Sequence, residues 1–422
     1  MTTEAFDEKN NVPSVSERNL GTGLIECPQC GLLQILPPPV SGHGRRCSRC
    51  GSSFGHWAAG GDTALALAVT ALVLFSLAYL SPMMAIDMDG RGQSVRLGSG
   101  VVSLFDHRLA PLALLVLVIS VVAPLGRVLT LAYVVFRARQ LKFTPHLSFV
   151  LRVAQILRPW SMLDVFLVGA LVALTKLHDL AQTIVGVGFW ALGLLVATLA
   201  ALEMTIDRQS LWDSLIWARG DRMEQLPRPH FACGECGLVQ SSQARCLRCR
   251  ALLHSRKPNS LQNAAALVAA GFILYLPANL YPVITVISFG HRTTATIMGG
   301  VMQLLDGSDW PLAVIVFAAS VAVPLLKLLG LSWLLLSTGL GFRARLTDRT
   351  RLYRLIELVS RWSTVDIFVA ALLTALVTLG NIATIEPGIG ALAFGAVVVV
   401  TMLATACFDP RLMWDAAGAN HV

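Results

Sequence analysis

The chain has 422 residues, of which 55% are hydrophobic and only 14% are charged. A composition this apolar, with a mean hydropathy of +0.65, excludes an ordinary soluble multidomain protein and makes a lipid bilayer the expected solvent. The formal net charge of +8 comes from short basic runs beside apolar segments, which indicates anionic headgroups and membrane orientation and argues against a nucleic-acid partner.

The segment before the first apolar stretch is polar and contains Glu4, Asp7, Glu8 and Glu17. It shows no basic stretch followed by an apolar core, which is the pattern of a cleaved signal peptide. We therefore expect the N-terminus to stay in the cytosol.

Eight of the nine cysteines form four C-x-x-C pairs in two polar segments. Sixteen residues separate the pairs of the first segment and nine separate those of the second. In a reducing compartment such pairs hold a metal ion more often than a disulfide, and two C-x-x-C turns supply the tetrahedral four-sulfur set that zinc prefers. The predicted ligands are Cys27, Cys30, Cys47 and Cys50 in the first module and Cys233, Cys236, Cys246 and Cys249 in the second.

Four thiolates leave no position for a reactive water, so the spacing predicts two structural zinc ions per chain and no enzyme activity. A rubredoxin-like iron site uses the same ligands and is the alternative. Gly31, Gly51 and Gly237 each follow the last cysteine of a pair, where a tight turn requires positive φ, and Arg250 breaks this pattern. The ninth cysteine, Cys407, lies alone in an apolar stretch and is expected to serve packing.

Eight apolar stretches are long enough to cross a bilayer, four after each cysteine module. Lysine and arginine residues gather in the loops after the second and sixth stretches, which places these loops, the 207–260 linker and both termini in the cytosol. The stretches cover roughly 62–87, 108–137, 150–176, 181–206, 261–289, 309–338, 352–380 and 386–408.

Residues recur at an offset of 200 to 202, which indicates that the chain is a duplication. Four helices per half is an even number, so the two copies are predicted to have the same orientation in the membrane. The matches include Leu104 and Asp106 with Leu304 and Asp306, Pro111 with Pro311, Pro124 and Arg127 with Pro324 and Lys327, Trp160–Phe166 with Trp362–Phe368, and Asp207, Trp212 and Asp213 with Asp409, Trp414 and Asp415.

These features predict an all-α polytopic membrane protein, made of two tandem parallel repeats of a zinc-ribbon-like module plus four transmembrane helices. Alternating β-prone residues at Ile86–Leu97 and Val283–Ile297 predict a small periplasmic β-hairpin in each half, with an unstructured loop as the alternative. The predicted limits are 1–22 for a flexible tail, 23–58 for the first module, 59–208 for the first transmembrane domain, 209–228 for an interfacial linker, 229–257 for the second module, 258–410 for the second transmembrane domain and 411–422 for a C-terminal tail.

Ionisable residues lie within the apolar stretches of both halves. Arg127 and Lys327 are about ten residues from the cytoplasmic ends of their stretches, a position near mid-bilayer at 1.5 Å per residue. Asp164 and Asp366 reach a similar depth in the next stretch. Since a lone charge there costs at least roughly 2.5 to 3.5 kcal/mol, we predict the pairs Arg127 with Asp164 and Lys327 with Asp366.

Further polar residues extend this predicted network. Ser161 and Ser363 precede the two aspartates by three residues, and Ser120 and Ser320 lie in the preceding stretch near Pro124 and Pro324, which are expected to kink their helices. A static ion pair that sets helix register is the alternative to a transport role. For the second half we favour function, because lysine changes its protonation far more readily than arginine.

Lys176 and Asp179 lie one turn apart at the outer end of the third stretch, where the second half has the uncharged Thr378 and Asn381. Either an interfacial anchor or a substrate gate fits this pair.

Several motifs together resemble one known family. They are the duplicated order of cysteine module and apolar stretches, the break at Asn279-Leu280-Tyr281-Pro282, and the W-S-x-x-D-V/I-F segments Trp160–Phe166 and Trp362–Phe368. From Cys27 to Asp415 the chain resembles the paraquat-inducible protein A family. The first half departs from the motif, since it has Ser81-Pro82 where the second has Tyr281-Pro282.

The resemblance implies a bacterial inner-membrane protein that works with a periplasmic MCE-domain protein to move phospholipids between the inner and outer membranes. The sequence shows no nucleotide-binding motif such as G-x-x-x-x-G-K-[ST], so the energy would come from an ion gradient or a partner, and titratable groups at mid-bilayer suit protons. The alternatives are a membrane oxidoreductase with iron in the modules and a scaffold that only anchors the MCE protein.

Overall fold

The structure is a computed structural model, and it is mostly helical with short strands. It describes residues 24–35, 45–54, 61–88, 91–106, 109–139, 146–178, 182–205, 212, 230–241, 244–288, 291–306, 310–376 and 383–418. The predicted N-terminal tail and most of the predicted interfacial linker lie outside these residues.

The elements follow the order of the sequence in two similar series. The first module contains β1 (Leu24–Glu26), β2 (Leu33–Ile35), β3 (Arg45–Arg46) and β4 (Ser53–Phe54). The first half contains α1 (Gly61–Leu80), β5 (Met84–Met88), β6 (Arg91–Val95), α2 (Ser99–Asp106), α3 (Ala110–Leu117), α4 (Ala123–Arg139), α5 (Leu147–Leu157), α6 (Leu163–His178), β7 (Gln182–Val185) and α7 (Val187–Thr205).

The second module contains β8 (His230–Ala232) and β9 (Val239–Ser241). The second half contains α8 (Ser260–Leu280), β10 (Ile284–Ser288), β11 (His291–Ala295), α9 (Ile297–Asp306), α10 (Trp310–Phe317), α11 (Val323–Gly339), α12 (Leu346–Trp362), α13 (Val365–Leu376), β12 (Ala383–Pro387), α14 (Ile389–Cys407) and α15 (Arg411–Ala416).

Seven helical segments of the described residues are long and apolar enough to cross a membrane: Asp62–Leu80, Ala110–Arg137, Leu147–Leu174, Val187–Thr205, Ser260–Leu280, Ala318–Gly339 and Ile389–Cys407. The eighth stretch that we predicted, 352–380, is not among them. As the third stretch does with α5 and α6, it falls on two helices, since α12 ends at Trp362 and α13 begins at Val365. The first of these also carries Asp348, Arg349 and Arg351 near its start, which lowers its hydropathy.

The second long segment of each half contains a widened helical turn. Residues Val118–Val122 and Ala318–Ala322 form π-helical turns, in which the Ala123 N–H donates to the Val118 carbonyl five residues earlier. Pro124 and Pro324 follow these turns directly. A π turn inside an α-helix is rare, and those that occur are often at functional sites. Both halves have one at the same position.

Each half also contains a three-stranded antiparallel sheet. The strands that we predicted as hairpins pair as β5 with β6 and as β10 with β11, while the turns at 89–90 and 289–290 lie outside the described residues. A third strand, β7 or β12, joins the other edge of the central strand. Gly186 and Gly388 follow these strands, and a side chain at either glycine would collide with the carbonyl oxygen of Pro82 or Pro282.

The two halves share one continuous hydrophobic core. The rings of Phe166 on α6 and Phe368 on α13 meet edge to face with their centroids 5.0 Å apart. Gly100 on α2 lies against the backbone of Ala371 on α13, where an added Cβ would be 3.1 Å from the carbonyl oxygen. Helix α13 therefore joins the second half to the first.

Each cysteine module packs against the half that does not follow it in the sequence. The cysteines of the first module share an apolar cluster with Leu331 on α11 and Ile356 on α12. Those of the second module share a cluster with Val134 on α4 and Leu151 on α5. The first module thus packs on the second half and the second module on the first half, an arrangement that we call crossed packing.

Candidate metal centres and buried polar sites

Both sets of four cysteines form compact clusters. In each cluster the four Sγ atoms lie within 4.8 Å of one another, and all eight side chains are buried. The Cys27–Cys50 and Cys30–Cys47 Sγ distances are 3.6 Å, and the corresponding distances in the second cluster are 3.5 Å. Tetrahedral zinc with Zn–S bonds of about 2.3 Å places its sulfurs about 3.8 Å apart. The donor sets therefore fit a four-coordinate metal ion.

The backbone turns that present the cysteines are nearly identical. In each C-x-x-C pair the residue after the second cysteine donates its N–H to the carbonyl of the first, as Gly31 does to Cys27 at 2.9 Å. Gly31, Gly51 and Gly237 have φ between 70° and 74°, and Arg250 adopts the same left-handed conformation with φ of 57°. The fourth turn thus keeps its shape without glycine, at a cost of roughly 1–2 kcal/mol.

Hydrogen bonds among the sulfurs favour a charged thiolate in each cluster. Those from Cys236 and then Cys246 lower the pKa of Cys233, and those from Cys27 and Cys30 lower the pKa of Cys50. The thiolate is the form that binds metal ions.

Contacts around the clusters differ between the two modules. At the first, the Arg354 guanidinium donates to the Cys50 Sγ at 3.3 Å and to the Cys50 carbonyl at 3.1 Å. The Ser52 hydroxyl lies 3.1 Å from the Cys27 Sγ. At the second, Arg248 donates to the Cys236 carbonyl at 3.3 Å.

Lys327 lies on α11 inside the apolar segment, and its side chain is only 2% exposed. Its Nζ donates to the Thr401 hydroxyl on α14 at 2.9 Å. Thr405 donates to the Thr401 carbonyl at 2.9 Å, and the Tyr353 hydroxyl donates to the Thr405 carbonyl at 3.2 Å. The side chain of Asp366 lies outside the described residues, so its pairing with Lys327 stays a prediction.

The ion pair of Arg127 differs from the one that we predicted. Its guanidinium lies 2.5 Å from the Glu203 carboxylate at the end of α7, and Arg158 lies 3.7 Å from the same carboxylate. Asp164, the predicted partner, is exposed on α6. The physical reason is helix packing: α1 contacts both α4 and α7, and this brings Leu202 into one apolar cluster with residues of α1 and α4.

The other predicted network residues differ in burial and in what the structure describes of them. Ser120 is buried in its π turn and donates to the Val116 carbonyl of its own helix at 2.6 Å. Ser320 and Ser363 are buried, and Ser161 is partly buried. The side chain of Lys176 and all of Asp179 lie outside the described residues.

A buried ionic cluster joins the modules to the C-terminus. The Glu26 Oε1 accepts hydrogen bonds from Arg256 and from Arg411, both at 3.1 Å. Arg256 also pairs with Asp415 at 2.6 Å, and Arg411 pairs with Asp409 at 3.0 Å. Burial disfavours the charged carboxylate of Asp409, but the hydrogen bonds from Arg411, its positive charge and the Lys257 N–H together outweigh it and hold the pKa of Asp409 below its usual value.

Only two residues of this cluster can be recognised in the sequence, and only because they recur in both halves. Asp409 and Asp415 recur at the offset that relates the two halves, and in the sequence this recurrence indicates duplication only. Glu26, Arg256 and Arg411 gave no signal, because they are distant in the chain and common on cytosolic surfaces.

Comparison with known proteins identifies similar chains. The family model described as paraquat-inducible protein A matches the chain twice, at residues 62–216 and 261–418. The intermembrane transport protein PqiA of Escherichia coli K12 is 33% identical over 405 residues, which cover 93% of this chain and 95% of that protein.

Two further relatives are similar along nearly their whole length. The lipophilic envelope-spanning tunnel protein A of Escherichia coli K12 is 33% identical over 92% of this chain and 91% of its own length. A probable intermembrane transport protein of Haemophilus influenzae is 27% identical over 93% of this chain and 95% of its own. No solved structure matches the chain.

Proposed function

The chain belongs to the paraquat-inducible protein A family, and on that premise we propose that it is the inner-membrane subunit of a system that moves phospholipids between the inner and outer membranes. Similarity to proteins named for intermembrane transport and for an envelope-spanning tunnel supports this role. Its partner in the proposal is a periplasmic MCE-domain protein, which would carry the lipid beyond the inner membrane.

The proposed arrangement is a tandem duplication of one cysteine module and four membrane-spanning helices. The two matches of one family model and the two π turns support the duplication. In each half a cysteine module precedes the first long helix and a β-sheet follows it. A helix that spans the membrane separates its two ends, so modules in the cytosol would place the sheets in the periplasm, as the basic cytosolic loops also indicate.

The observation that carries a transport role, rather than an anchoring one, is the burial of Lys327. A lysine that is 2% exposed inside an apolar segment is costly, and such residues in membrane proteins commonly mark ion or substrate pathways. Its described partner is the neutral hydroxyl of Thr401. We propose that Lys327, Thr401 and Asp366, with Ser320 and Ser363, form a proton-responsive network that drives the movement of lipid.

We propose that zinc fills both cysteine clusters. Four sulfurs leave no open position on the ion, so zinc would hold each small module together and would supply no catalytic water. In their described residues the modules contain only strands of two or three residues, so we expect such a link to keep them folded.

A lipid-flux measurement tests the proposal directly. A strain that lacks this protein and its redundant counterparts would be supplied with labelled phospholipid, and the label would be followed in separated inner and outer membranes. The wild-type chain is expected to restore the exchange of label. If adding the wild-type chain retains an MCE protein at the membrane but does not increase the exchange of label, the chain is an anchor and not a transporter.

A further inference from the structure

The first cysteine cluster receives a hydrogen bond from the membrane domain. The Arg354 Nη2 lies 3.3 Å from the Cys50 Sγ and 3.1 Å from the Cys50 carbonyl oxygen. Arg354 belongs to α12 of the second half, 304 residues away in the chain. The contact therefore crosses from a module at one end of the sequence to a helix near the other.

Charge explains why an arginine stands at this position. Four thiolates around a divalent ion carry a net charge of −2, and here the cysteines are buried against the second half. An N–H donor to a ligating sulfur disperses this charge, and groups of this kind orient and stabilise metal ligands. An arginine of the module itself, Arg49, stacks over the Trp414 ring at 4.6 Å, which fixes the module over α15.

The matching position in the first half makes a different contact. Arg152 precedes Arg354 by 202 residues and lies on α5, the helix that the second module packs against. Its guanidinium lies 5.9 Å from the centre of the Phe149 ring. Within the described part of the chain it donates no hydrogen bond to a cysteine. The fold thus supplies two arginines in equivalent places, of which one contacts a sulfur ligand.

We propose that Arg354 is an outer-sphere partner of the first metal centre and links occupancy of that centre to the second half of the membrane domain. This inference rests on the proposed metal centres and extends them, since it assigns a metal-stabilising role to a residue of a helix outside both modules. Loss of the ion, followed by protonation of the four thiolates, would remove the negative charge that holds Arg354, and loss of Arg354 would weaken retention of the ion.

The test measures metal release separately at the two centres of the full-length protein in detergent. A chelator is added, and the cysteines that become free are alkylated and quantified by mass spectrometry of the Cys27–Cys50 and Cys233–Cys249 peptides. Because loss of an outer-sphere partner commonly costs about 10- to 100-fold in metal affinity, Arg354→Ala should raise alkylation of the first set by about 10-fold or more. The second set should react as in the wild type.

Arg152→Ala is the matched control, and it should leave the first set unchanged. Arg354→Lys keeps the positive charge but not the planar fork, so release from the first centre should be intermediate. It also serves in place of Arg354→Ala if that variant does not accumulate. Wild-type release in the variants at 354, or equal acceleration at both centres, would overturn the proposal. Absence of metal from the wild-type protein would instead overturn the metal centres themselves.

Discussion

The two halves share a scaffold but treat their buried cations differently. Arg127 in the first half lies in an ion pair with Glu203, which also contacts Arg158. At the matching positions the second half has Lys327, Thr405 and Ser360, and the described partner of the lysine is a threonine hydroxyl.

Under the proposed function, this difference separates a fixed charge in the first half from an exchangeable one in the second. An arginine held by a carboxylate keeps its charge under all physiological conditions, whereas a lysine changes its protonation readily when its surroundings do. Duplication can thus conserve packing while the buried polar contacts change, and under the proposed function the first half would hold a structural ion pair and the second the working site.

The largest expected effect comes from apolar replacement of the two sites. Lys327→Met combined with Asp366→Leu should abolish lipid exchange while the protein accumulates in the membrane, because methionine and leucine fill space but carry no proton. Arg127→Met combined with Glu203→Leu is the matched control and should retain exchange, since an ion pair of structural role tolerates an apolar pair. The measurement is lipid exchange with protein abundance determined in parallel. Equal loss in both double variants would erase the proposed distinction between the halves.

The crossed packing of the modules predicts a second, smaller effect: loss of one module should destabilise the half on which it packs, which is not the half that follows it in the sequence. Cys27→Ser and Cys233→Ser should each lower the metal content from two ions per chain to about one and reduce protein abundance, since a small module loses its fold with its metal. Limited proteolysis should then cut Cys27→Ser more readily in the second half and Cys233→Ser in the first half.

Cys407→Ser is the control for these cysteine variants. Cys407 belongs to neither cluster, so its replacement should preserve metal content and the digestion pattern. Increased cutting next to each altered module, rather than across from it, would contradict the crossed packing.

The smallest expected effect is a loss of stability in acid at the C-terminal end of the second half. The pKa of Asp409 in the folded protein is lowered, so its pairing with Arg411 contributes stability above the unfolded pKa of about 4. That contribution is lost as the pH falls from about 4 through the folded-state pKa. Release of the C-terminal residues should therefore increase below about pH 4. It is measured as a loss of cross-linking between residue 26 and residue 411.

Asp409→Asn sharpens this acid test. Asparagine does not titrate in this range, so the variant should start with weaker cross-linking at neutral pH and should show a smaller further loss in acid. An acid transition identical to that of the wild type would assign the effect to another group.

Local patterns predicted much of this molecule. The spacing of the cysteines predicted two four-sulfur clusters, and the structure gathers the same eight residues, because a C-x-x-C turn carries its geometry within a few residues. Seven apolar stretches were recognised for a similar reason, since length and hydropathy are properties of a continuous segment.

Contacts between distant segments were beyond these patterns. Glu203 became the partner of Arg127 through the packing of α1 on two helices, which no residue spacing records. Nothing in the sequence around Thr401 distinguishes it from other residues of an apolar helix, and only the fold places it beside Lys327. The third strands fall within the predicted apolar stretches or on their flanks, because a short β-prone run beside a helix has no period of its own.

The crossed packing of the modules also determines the order in which the protein can be completed during synthesis. The first module leaves the ribosome early, but the surface that receives it extends to Trp414, about 360 residues later. At roughly 5–20 residues per second, this interval lasts roughly 20 to 70 seconds. During this interval the first module lacks the surface of the second half on which it packs, whereas the second module emerges after α4 and α5, on which it packs, have been made. The first module can therefore dock only after most of the second half has been made.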